Sequence, residues 1–125
     1  MNLISVLAVA VGGALGAVMR YLISLVPFKS DFPFATIIAN LAGAVIIGFI
    51  AGFAAGRNTN KNIVLFFKTG MCGGFTTFST FSLESLTLLE NGKWLLGSVY
   101  ILTSVLGCLL GVWCGLKFGK LIADK

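Results

Sequence analysis

Histidine is absent from this 125-residue chain, and Asp and Glu together number only four. No nucleophilic side chain stands beside a basic partner, so the sequence lacks the groups that hydrolysis and general acid–base catalysis require. The three cysteines fall inside apolar stretches, and their spacing matches no metal site or disulfide framework. The sequence therefore predicts a protein that is not an enzyme.

Charge is also scarce: 10% of the residues are charged, 58% are hydrophobic, and the mean hydropathy is +1.02. Soluble domains carry about 25% charged residues, so the chain is predicted to be an integral membrane protein. A membrane-crossing helix needs about 20 apolar residues, and four stretches are long enough. The predicted spans are residues 3–26, 34–56, 63–89 and 94–122, within one domain of residues 1–125.

The connections between these spans are too short to hold a soluble domain, so any function must lie inside the helical bundle. An even number of spans leaves both chain ends on one side of the membrane. The basic residues lean weakly towards that side, which favours cytoplasmic termini. We interpret the net charge of +5 as a topology signal and as attraction to the lipid surface, not as nucleic-acid binding.

Small residues recur every four positions on three of the predicted spans. In lipid, such ridges let helix backbones approach closely, so they mark faces that contact other helices. Because four short spans enclose little room for a functional pathway, we expect the ridges to serve oligomer formation as well as packing within one chain. The ridge residues are Gly12 and Gly16; Ala44, Gly48, Gly52 and Gly56; and Gly107, Gly111, Gly115 and Gly119.

The third span is interrupted near its middle by residues 70–82, which read GMCGGFTTFSTFS. Adjacent glycines and hydroxyl side chains favour unwinding of the backbone there. Unpaired backbone is tolerated at membrane depth only where protein or a polar cavity satisfies it. Because such an irregularity is costly, we predict a broken third helix with a functional site at the break.

Polar side chains inside the other spans point to the same region. Asn40 lies about two turns into the second span, shares a helix face with Thr36, and cannot snorkel to the headgroups, so we expect it to make a buried polar contact. Arg20 either snorkels to headgroups or makes a structural hydrogen bond. Hydroxyl groups on the third and fourth spans act either as helix–helix contacts or as a donor-lined track, and both alternatives stay open.

Phe78 and Phe81 lie three residues apart and so project from neighbouring positions on one helix face. Aromatic pairs in membrane helices commonly pack against lipid or core, but these two alternate with hydroxyl residues just after the predicted break. An aromatic ring has a positive edge. Ring edges that point into a dry passage would attract an anion weakly without trapping it.

At these residues the chain resembles the small fluoride channels of the Fluc, or CrcB, family. The resemblance covers nearly the whole chain and rests on residues 12–21 (GGALGAVMRY), 36–40 (TIIAN) and above all 73–81 (GGFTTFSTF). It implies an all-α membrane protein of four transmembrane helices with a broken third helix, assembled as an antiparallel dual-topology dimer in the cell inner membrane. Fluoride would leave the cytoplasm passively through two pores at the dimer interface.

The resemblance also implies roles for individual residues. Phe78 and Phe81 would line the pores, Asn40 would donate to the ion, and Arg20 is assigned a structural polar role. A structural sodium ion would be held by backbone carbonyls of Gly73 and Thr76 from each subunit. The remaining pathway residues, which belong to or border a polar track, are Thr36, Ser79, Thr80, Glu84, Tyr100, Ser104 and Cys108.

Two features depart from the simplest form of this family. Cys108 replaces a serine of the polar track, and a thiol is a weaker donor than a hydroxyl. The distribution of basic residues favours cytoplasmic termini, whereas an antiparallel homodimer needs the same chain to insert in both orientations. A homologous second chain is therefore an alternative partner.

Two rival functions are a proton-coupled exporter of drug-like cations and a non-transporting membrane scaffold. An exporter would need a carboxylate near the middle of the first span, which contains none. A scaffold would leave the broken helix and Asn40 unexplained.

Overall fold

The computed structural model describes residues 2–125, and all regular elements in that range are helical. They are α1 (Leu3–Ser24), α2 (Phe34–Gly56), α3 (Lys61–Val64), a π-helix (Leu65–Cys72), α4 (Gly73–Phe75), α5 (Phe78–Glu90) and α6 (Trp94–Ala123). The predicted all-α class is therefore confirmed. Helices α1, α2 and α6 are each long and apolar enough to cross a membrane. Residues 61–90, here called the third segment, are divided into shorter pieces.

Local polar contacts explain several helix starts and turns. The side chain of Asn2 caps α1 by accepting from the Ile4 N–H, and Asn60 caps α3 by accepting from the Asn62 N–H. The turn between α5 and α6 contains Gly92 at φ +76°, a backbone conformation that glycine adopts without steric cost. These devices allow short connections, and the helices that pack most closely are not consecutive in sequence: α1 packs along the third segment, and α2 packs along α6.

The interruption in the third segment is present, but the glycines do not form it. Gly70, Gly73 and Gly74 stay helical, and the extended residues are Thr76 (φ −86°, ψ 159°) and Thr77 (φ −151°, ψ 125°). A Cβ on Gly70 or Gly74 would press against backbone atoms of α1, so these glycines are needed for helix contact. The expectation of unwinding is confirmed for the hydroxyl residues and wrong for the glycines. Close packing against α1 keeps Gly70 and Gly74 helical, while a threonine can cap the helix that follows.

The glycine ridges pack helices of this one chain against each other. A Cβ on Gly48 or Gly52 would overlap backbone of α6, and one on Gly115 or Gly119 would overlap backbone of α2. Gly12 makes the equivalent approach from α1 to the third segment, as does Gly16. The prediction that ridges mark helix contacts is confirmed, but they are occupied within the subunit. The ridges are therefore no evidence for oligomer formation, and that part of the interpretation is corrected.

The buried core is small and lies between α2, α5 and α6. It consists of Ile37, Phe81, Leu88 and Tyr100, against which the partly buried Phe32 packs from the connection before α2. The ring of Phe32 meets that of Tyr100 edge-on, with centroids 5.5 Å apart. Large apolar side chains on α1 and on the outer face of α6 are exposed, as expected of surfaces that contact lipid.

Candidate functional site

A cavity of about 300 Å³ lies beside the break in the third segment. It is enclosed by α2, α5, α6 and the backbone of the break, and every lining residue is electrically neutral. Five of the predicted fluoride-pathway residues line it: Asn40, Phe78, Phe81, Ser104 and Cys108. Thr76, predicted as a sodium ligand, also lines it, together with Gly43, Ala44, Ile47, Cys72, Thr77 and Val105.

Asn40 is paired with the backbone of the break at two points. Its Oδ1 accepts from the Thr77 N–H at 2.8 Å, and its Nδ2 donates to the Thr77 carbonyl at 3.0 Å. In a continuous α-helix the Thr77 N–H would instead bond to the Gly73 carbonyl four residues earlier. Asn40 thus satisfies backbone groups that the break exposes, and one Nδ2 hydrogen stays available to the cavity that Asn40 lines.

Three hydroxyl groups gather at the start of α5. The Thr77 Oγ1 accepts from the Thr80 N–H at 3.1 Å, which caps the helix, and it donates to the Thr80 Oγ1 at 3.1 Å. The hydroxyl oxygen of Ser79 lies 3.3 Å from the Thr77 Oγ1, and Ser79 is exposed on the single chain. Thr80 and Ser79 therefore do not line the cavity but contact Thr77, which does.

Phe78 and Phe81 contact each other with ring centroids 5.7 Å apart, but their surroundings differ sharply. Phe78 is 79% exposed, whereas Phe81 is 8% exposed and packs on the ring of Tyr100 at 5.3 Å. Phe81 therefore separates the cavity from the polar groups behind it. Phe78 forms the open side of the cavity.

Ser104 presents a buried hydroxyl that has no hydrogen-bond partner among residues 2–125. The residue is 5% exposed and lines the cavity one helical turn from Cys108. A buried hydroxyl without a partner is costly, by about 1–3 kcal/mol. A ligand that accepts a hydrogen bond inside the cavity would recover this free energy.

Glu84 lies behind Phe81 and accepts two hydroxyl hydrogen bonds. The Thr36 Oγ1 donates to its Oε1 at 2.8 Å, and the fully buried Tyr100 donates to its Oε2 at 2.7 Å. These contacts bring α2, α5 and α6 together at one carboxylate. The predicted polar residues therefore form two groups, one in the cavity and one around Glu84, on either side of Phe81.

The rearrangement at the break also releases the two carbonyls that the family resemblance implies as sodium ligands. In a continuous helix the Gly73 carbonyl would accept from the Thr77 N–H, but this N–H donates to Asn40 instead. The Thr76 carbonyl would accept from the Thr80 N–H, but this N–H donates to the Thr77 hydroxyl instead. Gly73 is exposed, with no atom within 4 Å of an added Cβ. The donor set is thus compatible with a cation.

Arg20 stands apart from the cavity and contacts the backbone just before the break. Its Nε donates to the Gly74 carbonyl at 3.1 Å, and the side chain is half-buried. Arg20 was expected either to snorkel to headgroups or to make a structural hydrogen bond, and this contact is the structural hydrogen bond.

Sequence reasoning did not assign roles to Thr77 or Gly43. Thr77 supplies the helix cap and both backbone partners of Asn40, and a Cβ on Gly43 would overlap the Thr76 side chain. One signal was available for Gly43, because it follows Asn40 by three residues and so shares its helix face. The pairing between Asn40 and Thr77 joins residues 37 positions apart, and no local pattern predicts it.

Comparison with known proteins places this chain among close relatives. A protein from Ruminiclostridium cellulolyticum named fluoride-specific ion channel FluC is 45% identical over 98% of both chains. Proteins of the same name from Elusimicrobium minutum and Methanococcus maripaludis are 44% and 43% identical, over 91% and 88% of this chain and 92% and 91% of their own. A family model described as "CrcB-like protein, Camphor Resistance (CrcB)" matches residues 7–116.

The family match covers most of the chain, including the break, Asn40 and the residues around the cavity. The alignments with these relatives cover nearly the full length of this chain and of each relative. This chain belongs to the CrcB-like family.

Proposed function

We propose that this protein is a fluoride-selective channel that lets fluoride leave the cytoplasm passively. The relatives are named fluoride-specific ion channels, which supports transport and confirms that the protein is not an enzyme. The observation that carries the proposal is the buried, unpartnered hydroxyl of Ser104 in a cavity shared with Asn40 and two phenylalanines. These groups offer donors to a small anion without any fixed positive charge.

The physical difficulty for fluoride is the loss of its hydration shell. A bare ion in a medium of low dielectric would cost tens of kcal/mol by Born reasoning, of order 20. In the proposed pathway the Asn40 amide, the Ser104 hydroxyl and the ring edges of Phe78 and Phe81 replace water. Neutral donors lower this cost without binding the ion so tightly that it cannot leave. A narrow passage would exclude the larger chloride, and inward-pointing donors would repel cations.

The polar groups around Glu84 extend this pathway beyond Phe81. Thr36 and Tyr100 direct their hydroxyl hydrogens at the carboxylate, and Thr80 and Ser79 add hydroxyls at the start of α5. In our proposal the ion moves along Phe81 in contact with the cavity donors, while the Glu84 carboxylate holds the Thr36 and Tyr100 hydroxyls and borders the pathway. Cys108 contributes a weaker donor at the cavity end.

We further propose that two copies of the chain, inverted relative to each other, enclose two such pathways. Phe78, Ser79 and Gly73 are exposed on the single chain next to extended backbone at Thr76 and Thr77. Polar and irregular backbone does not face lipid at membrane depth, so a protein surface must cover it. The antiparallel arrangement and the two pores rest on the family resemblance, and a homologous chain is the alternative partner.

A structural sodium ion at the interface would fit the released carbonyls of Gly73 and Thr76, which lack their helical partners. Carbonyl oxygens are hard donors that suit such a cation, and the ion would supply positive charge between the subunits. The inner membrane is the proposed location, since passive export requires the protein to lie in the membrane that bounds the cytoplasm.

The test is fluoride efflux from liposomes that contain only this purified chain, recorded with a fluoride electrode. We expect efflux well above that of empty liposomes, together with little chloride efflux. The exporter and scaffold alternatives both predict background rates. Efflux from the single chain would support a homodimer, and efflux that requires a second homologous chain would support a heterodimer.

Phe81→Ile tests the pathway itself. We expect efflux to fall to near background while the oligomer stays intact on gel filtration, because the aromatic edge between the two donor groups is lost. Phe118→Ile is the matched control, since Phe118 is 56% exposed on α6 and does not line the cavity. Wild-type efflux from the Phe81 variant would remove Phe81 from the pathway.

A further inference from the structure

A second, smaller groove lies at the other end of α2 and shares no residue with the cavity at the break. Its volume is about 130 Å³, well below the range of about 300–1,000 Å³ that small-molecule sites occupy. All of the lining residues except Thr59 are apolar. They are Phe49, Ile50, Phe53, Ala54, Thr59, Ile63, Val64 and Phe67.

The groove lies where a lipid molecule crosses from hydrocarbon to headgroup. Its floor is the last two turns of α2, and its upper edge is Thr59 in the connection from Arg57 to Asn60. A span of α2 that ends at Gly56 places this connection at the membrane boundary. An apolar groove that opens at this level has the shape for part of an acyl chain, and not for a water-soluble ligand.

Arg57 lies beside the groove, over one of its lining rings. Its guanidinium carbon lies 5.6 Å from the ring centroid of Phe53, a lining residue, and its Nε donates to the Ala123 carbonyl at 3.2 Å. These two contacts fix the direction of the side chain. Within residues 2–125 the terminal nitrogens of Arg57 have no hydrogen-bond partner. A fixed guanidinium with free donors binds phosphate in a bidentate manner.

The charge around this end of the protein is one-sided. Lys61 follows the groove connection, and Lys120 and Lys125 lie on or after the same end of α6. Asp124 is the acidic residue nearby, with Oδ1 3.8 Å from a Cβ placed on Gly56, and it forms no ion pair within the described chain. An occupant with a negative headgroup is therefore favoured over a zwitterionic one.

We propose that this groove binds an anionic phospholipid, with one acyl chain on Phe53 and Ala54 and the phosphate on the terminal nitrogens of Arg57. The site goes beyond fluoride conduction and does not depend on it. The groove lies within a single chain, so lipid binding there does not require an oligomer or fluoride in the cavity.

The experiment is native mass spectrometry of the purified protein with phosphatidylglycerol or phosphatidylcholine of identical acyl chains. We expect wild type to retain phosphatidylglycerol preferentially, and Arg57→Gln to reduce that preference about fivefold, the contribution of one basic side chain near an anionic headgroup. Lys117→Gln is the matched control, because Lys117 lies 6.0 Å over Trp113, which does not line the groove. Its preference should equal that of wild type.

A groove-filling variant separates the site from effects on folding at Arg57. Ala54→Leu keeps every charge and should reduce retention of phosphatidylglycerol, while glycerol phosphate without acyl chains should not compete in wild type. Equal retention of the two lipids by wild type would overturn the proposal, as would equal losses in the Arg57 and Lys117 variants. Dissociation of the oligomer by Ala54→Leu would also overturn it, since a second copy would then be the occupant.

Discussion

The contact between α2 and α6 and the contact between α1 and the third segment use the same device with different results. In both, glycines let backbones meet so closely that a Cβ would overlap a carbonyl oxygen of the facing helix. Both helices of the first contact run unbroken, over Phe34–Gly56 and Trp94–Ala123. The third segment widens into a π-helix and opens at Thr76 and Thr77.

The difference shows that glycine alone does not open a membrane helix. Gly74 is as tightly packed as Gly48 and Gly52, Gly70 is only slightly less so, and both remain helical. The third segment opens where other groups can take over the backbone hydrogen bonds: the Asn40 amide, the Thr77 hydroxyl and the Arg20 guanidinium. In α2 and α6 the backbone hydrogen bonds stay within each helix along the whole contact, so both helices stay closed.

The largest effect is expected from Asn40→Asp, which keeps the acceptor for the Thr77 N–H but removes the amide donor. A negative charge about 4 Å from a passing anion costs about 4 kcal/mol at the effective dielectric of a partly buried site, so fluoride efflux should fall more than about 100-fold. The control is Asn62→Asp, which adds the same charge where Asn62 accepts from Ser5 at 2.8 Å. Efflux near the wild-type rate from the Asn40 variant would exclude Asn40 from the pathway.

A middle-sized effect is expected from two neighbouring glycines of α1. A Cβ on Gly12 would overlap the Phe66 carbonyl, whereas a Cβ on Gly13 would meet the Gly70 carbonyl at 3.9 Å, an ordinary contact. Gly12→Ala should therefore lower the free energy of unfolding by about 1–3 kcal/mol, and Gly13→Ala should not lower it. Unfolding in detergent by SDS titration measures both. Equal stability of the two variants would mean that close approach of α1 to the third segment does not contribute to stability.

The smallest effect is expected outside the bundle, at the ion pair between Lys93 and Asp31. Its atoms lie 2.8 Å apart, but the side chains are 41% and 70% exposed. Exposed pairs contribute about 0–1 kcal/mol, so Lys93→Gln should change the free energy of unfolding by less than about 1 kcal/mol and leave efflux unchanged. A larger loss in the same titration would show that the connections contribute to stability as much as the ridges do.

The existence and ends of the long helices were predictable because each depends on a local property. Runs of apolar residues define α1, α2 and α6, and the prediction for α2 matches Phe34–Gly56. The fourth prediction ends one residue before Ala123, and the first extends past Ser24 to residue 26. The candidate residues were also predictable in kind, since a polar side chain at membrane depth needs a partner wherever it lies.

By itself, the sequence determined that this is an all-helical membrane protein, that glycine ridges hold its helices together, and that the third segment is interrupted, because composition and periodicity act over a few residues. Only the tertiary structure decided where the interruption falls and what it does. Asn40 reaches Thr77 across 37 positions, Phe81 divides the cavity from the Glu84 network, and the ridges are occupied within one subunit. These outcomes depend on which backbone groups find partners when distant helices meet, and no local pattern contains that information.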